Sequence, residues 1–141
     1  MTNLLYDKYR EAQLNGTGAV AWGTGTAGDV IKAVLVDTGA YTLNAATHQF
    51  LSDVPVGARI STSPAFTGKT TTGGVADAND ITFAAVVGAS SEAVVIIKDT
   101  GSPATSPLIA FIDSATGLPV TPNGGDIGVA WDNGANKIFK L

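Results

Sequence analysis

The sequence predicts a mainly β fold, a compact β-sandwich or barrel of about eight short antiparallel strands preceded by one N-terminal amphipathic helix. Three observations predict it. Short apolar segments recur from residue 30 onward, bounded by Gly, Pro, Asn, Asp and Ser clusters. No helical crossover separates them, which argues against a parallel α/β sheet. Charged residues are only 14% of the chain, against about 25% in ordinary globular domains. Gly, Thr, Ser, Ala and Asn fill the difference, residues that suit turns and a neutral surface. No repeat or linker divides the 141 residues. The chain therefore reads as one domain: 1–15 a helix, 16–28 a Gly/Thr-rich loop and 29–141 the β domain.

In the first element, Leu5, Tyr9 and Ala12 fall at i, i+4 and i+7 with Leu4 beside them, while Lys8, Arg10 and Glu11 lie off that face. Thr2 or Asn3 can cap this helix, Asp7 favours its positive end, and Asn15 or Gly16 can end it in the left-handed conformation. About a dozen residues make a marginal helix alone, so its apolar face needs a packing partner. After the 16–28 loop, which carries Ala19–Trp22, "VIKAVLVD" at 30–37 reads as a strand buried on both faces. Residues 40–55 are ambiguous between a strand and a loop with a helical turn. Strands follow at 58–62, 65–73 and 80–87, where Ile81, Phe83, Ala85 and Val87 alternate with Thr82, Ala84 and Val86. The strongest strand patterns are "EAVVIIKD" at 92–99 and "PLIAFID" at 107–113. The last pair, "DIGVAWD" and "NKIFKL", predicts a hairpin turning at Asp132-Asn133-Gly134-Ala135, with Leu141 buried at its end, in this subunit or against the next.

Charge and motifs exclude more than they indicate. The net charge is −4, with five basic and five acidic groups in 1–75 but three and seven in 76–141. No basic stripe is offered to nucleic acid. The absence of cysteine removes disulfides and thiolate metal sites. The N-terminus lacks the pattern of a signal peptide, and no apolar run approaches the roughly 20 residues of a membrane span; a soluble protein is expected. Gly23-Thr24-Gly25-Thr26-Ala27-Gly28 matches G-x-G-x-x-G, but β-rich sequence follows it where a dinucleotide site needs a helix. Gly68-Lys69-Thr70 imitates a P-loop whose first glycine would be position 63, which is Ser63. Asp77, Asn79 and Asp80 cluster oxygens without the central glycine and final Glu of a calcium loop, and read as a turn. His48, the one histidine, has Ser52 and Asp53 nearby but no nucleophile elbow. Neither a catalytic residue nor a cofactor or metal is expected. The tryptophans and tyrosines are too scattered to form a stacking platform, and core or subunit contact is their expected use.

The runs "YDKYREAQLNG", "IKAVLVDTGAYTLNAATHQFLSDVP", "FTGKTTTGGVADANDITF", "SEAVVIIKDTG" and "SPLIAFID" resemble a group of small proteins encoded among the virion structural genes of tailed bacteriophages. The closing "GLPVTPNGGDIGVAWDNGANKIFKL" is the most specific part, and 16–28 looks like an insertion. The resemblance implies a structural role and transfers no catalytic residue. Within that setting the expected function is head decoration (cement): a homo-oligomer, trimer favoured, on the outer capsid surface, contacting the major capsid protein and itself. It would be made in the host bacterial cytoplasm, with no nucleic-acid or membrane partner. The interface candidates are Leu4, Leu5, Tyr9, Trp22, Trp131, Ile138, Phe139 and Leu141. The alternatives are a low-copy head–tail connector, a tail or fibre-base component, or a surface glycan-binding module using exposed Trp or Tyr, with Trp22 the first to test.

Overall fold

The structure, a computed structural model, describes residues 3–141. Its centre is a pair of strands that are apolar almost throughout, β2 (Ile31–Val36, IKAVLV) and β6 (Ala93–Lys98, AVVIIK), paired antiparallel from Ile31↔Lys98 to Val36↔Ala93. β7 (Leu108–Ile112) lies beside β6, β1 (Leu4–Leu5) beside β7, and β3 (Arg59–Thr62) beside β2. The sheet order is β1-β7-β6-β2-β3. The central strands do not alternate because they are covered on both faces; Ala33, Val34, Val36, Ala93, Val95 and Ile96 are all fully buried. Each large apolar side chain so enclosed contributes on the order of 1.5–3 kcal/mol.

Register divides the two faces. Leu35, Val94 and Ile112 sit side by side on one, and Val34, Val95 and Phe111 on the other, where Tyr41 rests against Phe111. Over the first face run two short ribbons. One pairs β4 (Val75–Ala76) with β9 (Phe139–Lys140); the other pairs β5 (Ile81–Phe83) with β8 (Ile127–Val129). The expected mainly antiparallel β fold is thus present in layered, sandwich-like form, with a single helix, α1 (Asp7–Asn15), and no closed barrel among the described residues.

The N-terminal helix is shorter than expected. Leu4 and Leu5, assigned to it from their spacing, are instead an edge strand paired with Phe111 and Ala110. Asn3 does not cap the helix either: its side-chain oxygen accepts the N–H groups of Asp113 and Ser114, both at 3.0 Å. Pairing with a preformed strand outcompetes a marginal first helical turn. The capping role considered for Thr2 falls outside the described residues. Tyr6 takes the N-cap position in extended conformation without a side-chain cap, and Asp7 lies in the first turn. The helix ends as expected, with Gly16 left-handed and its N–H bonded to the Ala12 carbonyl.

The C-terminal hairpin does not form. β8 and β9 each pair with a different partner, and Asn133-Gly134 does not adopt the positive φ a tight turn requires; the left-handed residue is Lys137, φ 44°. Trp131, 9% exposed, is held against Asn79 and Asp80, and an ion pair from Lys137 to Asp77 draws the chain onto β4 instead. The Leu141 N–H reaches the Gly74 carbonyl, but its side chain is 61% exposed, so the expected burial of the last residue does not occur within this chain. Two other strands are shorter than their patterns suggested. Residues 65–73 form only bridge pairs, Gly25 with Lys69 and Thr70 with Asp77, before a 3-10 turn at Thr72–Gly74. The 80–87 alternation breaks after Phe83, because Ala85 turns left-handed and gives its N–H to Asp126, burying Val86 and exposing Val87.

The 16–28 loop lies folded against the domain, with Val20 and Trp22 buried. The outer glycines of its G-x-G-x-x-G match, Gly23 and Gly28, meet: a Cβ on Gly28 would stand 2.6 Å from the Ala21 carbonyl oxygen and 2.8 Å from the Gly23 Cα. Close backbone approach therefore accounts for these two glycines without a phosphate. Gly28→Ala is expected to destabilise the protein by about 1–3 kcal/mol. Gly18→Ala, left-handed too but facing open space, should cost less. Urea denaturation of both variants checks the order.

Candidate functional site

Between the main sheet and the C-terminal segment lies an open cleft of about 780 Å³. Leu35, Val94 and Ile112 from β2, β6 and β7 face it from the sheet, and Ile127, Gly128, Val129, Ala130 and Trp131 form the opposite wall. Residues 114–118 close one side; Asp132 and Lys137 are the charged residues that line it. The cleft exists because the last two strands diverge to different ribbons, so that the chain between them crosses over the sheet. No strongly polar cluster converges inside it. Among the described residues, no three His, Cys, Asp or Glu side chains gather as a metal-binding set.

Trp131, which lines the cleft, ends a row of aromatic rings that runs back into the core. Tyr9 meets Phe139 at 6.1 Å, Phe139 meets Trp22 at 5.4 Å, Trp22 meets Phe66 at 5.9 Å, and Phe66 meets Trp131 at 5.5 Å. The first three contacts are edge-to-face, the arrangement ring quadrupoles favour. Both indole N–H groups need acceptors once buried, and residues 77–80 provide them. Trp22 Nε1 donates to the Asp77 carbonyl and Trp131 Nε1 to the Asn79 carbonyl, both at 3.1 Å. The Asp80 carboxylate accepts the Trp131 backbone N–H at 3.0 Å, and the Asp77 carboxylate takes Lys137 at 3.0 Å. The oxygen cluster considered for calcium is thus a bracket for two tryptophans and one lysine.

The interface candidates divide accordingly. Tyr9, Trp22 and Trp131 are buried in this chain's own core, which puts most of their surface out of a partner's reach. Leu4, Leu5, Ile138 and Phe139 are half-buried against that core, and Leu141 is exposed. Ile138 and Trp131 also line the cleft.

Lys69, which the failed P-loop match contained, is 2% exposed. Its Nζ donates to the Asp29 carbonyl at 2.8 Å, and its backbone N–H and C=O bridge to Gly25. It pins the glycine loop to the body. Burial holds its amine below the ordinary lysine value, and nearby Asp29 opposes that shift. His48 Nδ1 accepts the Asn44 backbone N–H at 3.2 Å and bonds the Tyr41 hydroxyl at 2.8 Å, which in turn bonds the buried Tyr6 hydroxyl at 3.1 Å. An amide N–H can only donate, so Nδ1 is the acceptor and the chain runs Tyr6 to Tyr41 to His48. Asp53 is engaged elsewhere, taking the N–H groups of Gln49 and Phe50 at 2.7 and 3.0 Å. Partial burial would raise its carboxyl, but those two donors and nearby His48 hold it below the usual carboxylate range. The structure gives His48 and Asp53 structural partners and no serine nucleophile.

No protein-family model matches the chain and no curated protein matches it. Two features of this region escaped sequence reasoning. The burial of Lys69 carried no pattern, since one charge amid Thr and Gly reads as an exposed edge. The bracket did carry a signal: two tryptophans each need an acceptor, and "ADAND" places Asp77, Asn79 and Asp80 within four residues.

Replacing Asp80 with Ala removes the acceptor of the Trp131 backbone N–H and is expected to cost about 1–2 kcal/mol, read by chemical denaturation. Burial raises the phenols of Tyr6, Tyr9 and Tyr41, Tyr9 to about 12. The folded chain keeps protons that the unfolded chain releases from about pH 10. That stability is complete below this pH and is lost as pH rises through the folded values. Denaturation midpoints should therefore fall steeply above about pH 10, and less steeply for Tyr6→Phe. At the acid end, the Asp99 carboxyl is held low by Lys32, 2.7 Å away, and by the Gly101 N–H, so its contribution fades as pH drops below the ordinary carboxylate range.

Proposed function

We propose that this chain is a virion structural protein, a decoration protein that sits on the outside of a tailed-phage head, contacts the major capsid protein and associates with itself, as a trimer. The observation that carries the reading is the open cleft beside β8: apolar on its sheet floor and along β8, with Asp132 and Lys137 its only charged lining residues, on a chain whose surface is mostly neutral. Burying such a surface requires few ions to be desolvated, so it suits a permanent contact between packed subunits. Its occupant in this reading is a neutral, apolar segment of the capsid protein. The sequence resemblance to phage structural gene products supports the setting. The proposed role is a non-catalytic one, and it draws support from the perturbed tyrosines, Lys69, Asp53 and Asp99 all lying outside the cleft lining. A glycan-binding role is less supported, since Trp22 is 7% exposed and its N–H is already engaged.

Gly128 provides the test. It lines the cleft, has ordinary φ, and a Cβ there meets nothing within 4 Å. Gly128→Glu therefore places a charge in the contact surface without disturbing the chain's own packing. The native protein is expected to co-sediment with capsid shells assembled without it. The variant should bind them at least about tenfold more weakly, ~1.4 kcal/mol, at an unchanged denaturation midpoint. Equal binding by the variant would remove the cleft from the interface, and no binding by the native protein would overturn the decoration reading.

A further inference from the structure

Three Asn-Gly pairs occur in the chain, Asn15-Gly16, Asn123-Gly124 and Asn133-Gly134. In such a pair the backbone nitrogen of the glycine can attack the asparagine side-chain carbonyl carbon. A C–N bond forms, the nitrogen's proton is lost, and the side-chain nitrogen leaves as ammonia. Solvent water then opens the five-membered imide at either carbonyl, giving aspartate or isoaspartate. The attacking nitrogen must be free, because an N–H held in a hydrogen bond has to break it before the nitrogen can lose its proton.

The structure separates the three pairs on this criterion. The Gly16 N–H donates to the Ala12 carbonyl at 2.9 Å, closing the helix end. The Gly124 N–H donates to the Val86 carbonyl at 2.8 Å, and the Asn123 side-chain oxygen is itself occupied by the Gly125 N–H at 2.9 Å. Gly134 makes no N–H hydrogen bond among the described residues, and both it and Asn133 are exposed. The Asp132 carboxylate lies over Gly134 without taking that N–H, one oxygen 2.8 Å from where a Cβ would stand.

We propose that Asn133 is the site of spontaneous deamidation in this protein, and that the fold protects Asn15 and Asn123. The reaction places a new carboxylate beside Asp132 at the cleft lip, near the Lys137 ammonium that pairs with Asp77. This inference is independent of what the cleft binds.

The test is incubation of the intact folded protein in mildly alkaline buffer, with peptide mass spectrometry and isoaspartate detection at each of the three sites. Asn133 should convert at least about tenfold faster than Asn15 or Asn123, the factor that ~1.4 kcal/mol produces in a rate. In denaturant the three should converge. Gly134→Ala should slow conversion at position 133 alone. Comparable rates at the three sites in the folded protein, or fastest conversion at Asn123, would overturn the proposal. So would a difference that persists unchanged in denaturant, because it would then come from neighbouring sequence and not from the fold.

Discussion

A pair of central strands, β2 and β6, that is apolar on both faces has to be covered twice, and the described residues offer one short α-helix with which to do it. The rest of the structure follows from that constraint. Irregular segments must supply the cover, and each brings backbone polar groups and indole N–H groups that need partners once they are away from water. The turn at residues 77–80 meets most of that need on one face. Its carbonyls hold Trp22 and Trp131, its carboxylates hold the Trp131 backbone and Lys137, and the aromatic row between them closes over the sheet. On the other face Tyr41 packs on Phe111 and links through hydroxyls to Tyr6 and His48.

The cover is incomplete, and the gap is the cleft. β8 and β9 are recruited to separate ribbons, which stabilises each short strand but leaves the chain between them stretched over Leu35, Val94 and Ile112. The Leu141 side chain stays exposed beyond β9. The pair proposed to deamidate, Asn133-Gly134, directly follows Asp132 at the edge of that cleft.

How much of this was legible depended on whether the signal was local. β2, β6 and β7 were readable because long apolar runs bounded by Gly and Pro leave few alternatives, and Gly16 was readable because a helix end makes a local demand. Leu4 and Leu5 were misread because their helical spacing also fits an edge strand, and the choice was made by Phe111 and Ala110, more than a hundred residues away. The terminal hairpin was misread for the same reason: Asn133-Gly134 is a sound local turn signal, overridden by the distant anchors Asn79, Asp80 and Asp77. The candidate site was less legible than the fold. A cleft between strands that pair with non-neighbours has no sequence pattern, and the aromatic residues chosen as interface candidates proved to be mostly the core that shapes it.

The central claim is that this fold presents a neutral, apolar contact surface for repeated use in a virus shell. If, as proposed, a tailed phage encodes the chain, quantitative mass spectrometry of purified particles of that phage tests it most directly. The account predicts copies comparable in number to the major capsid protein. A handful of copies per particle would place the protein at the neck or tail instead, and its absence from the particle would contradict the account altogether.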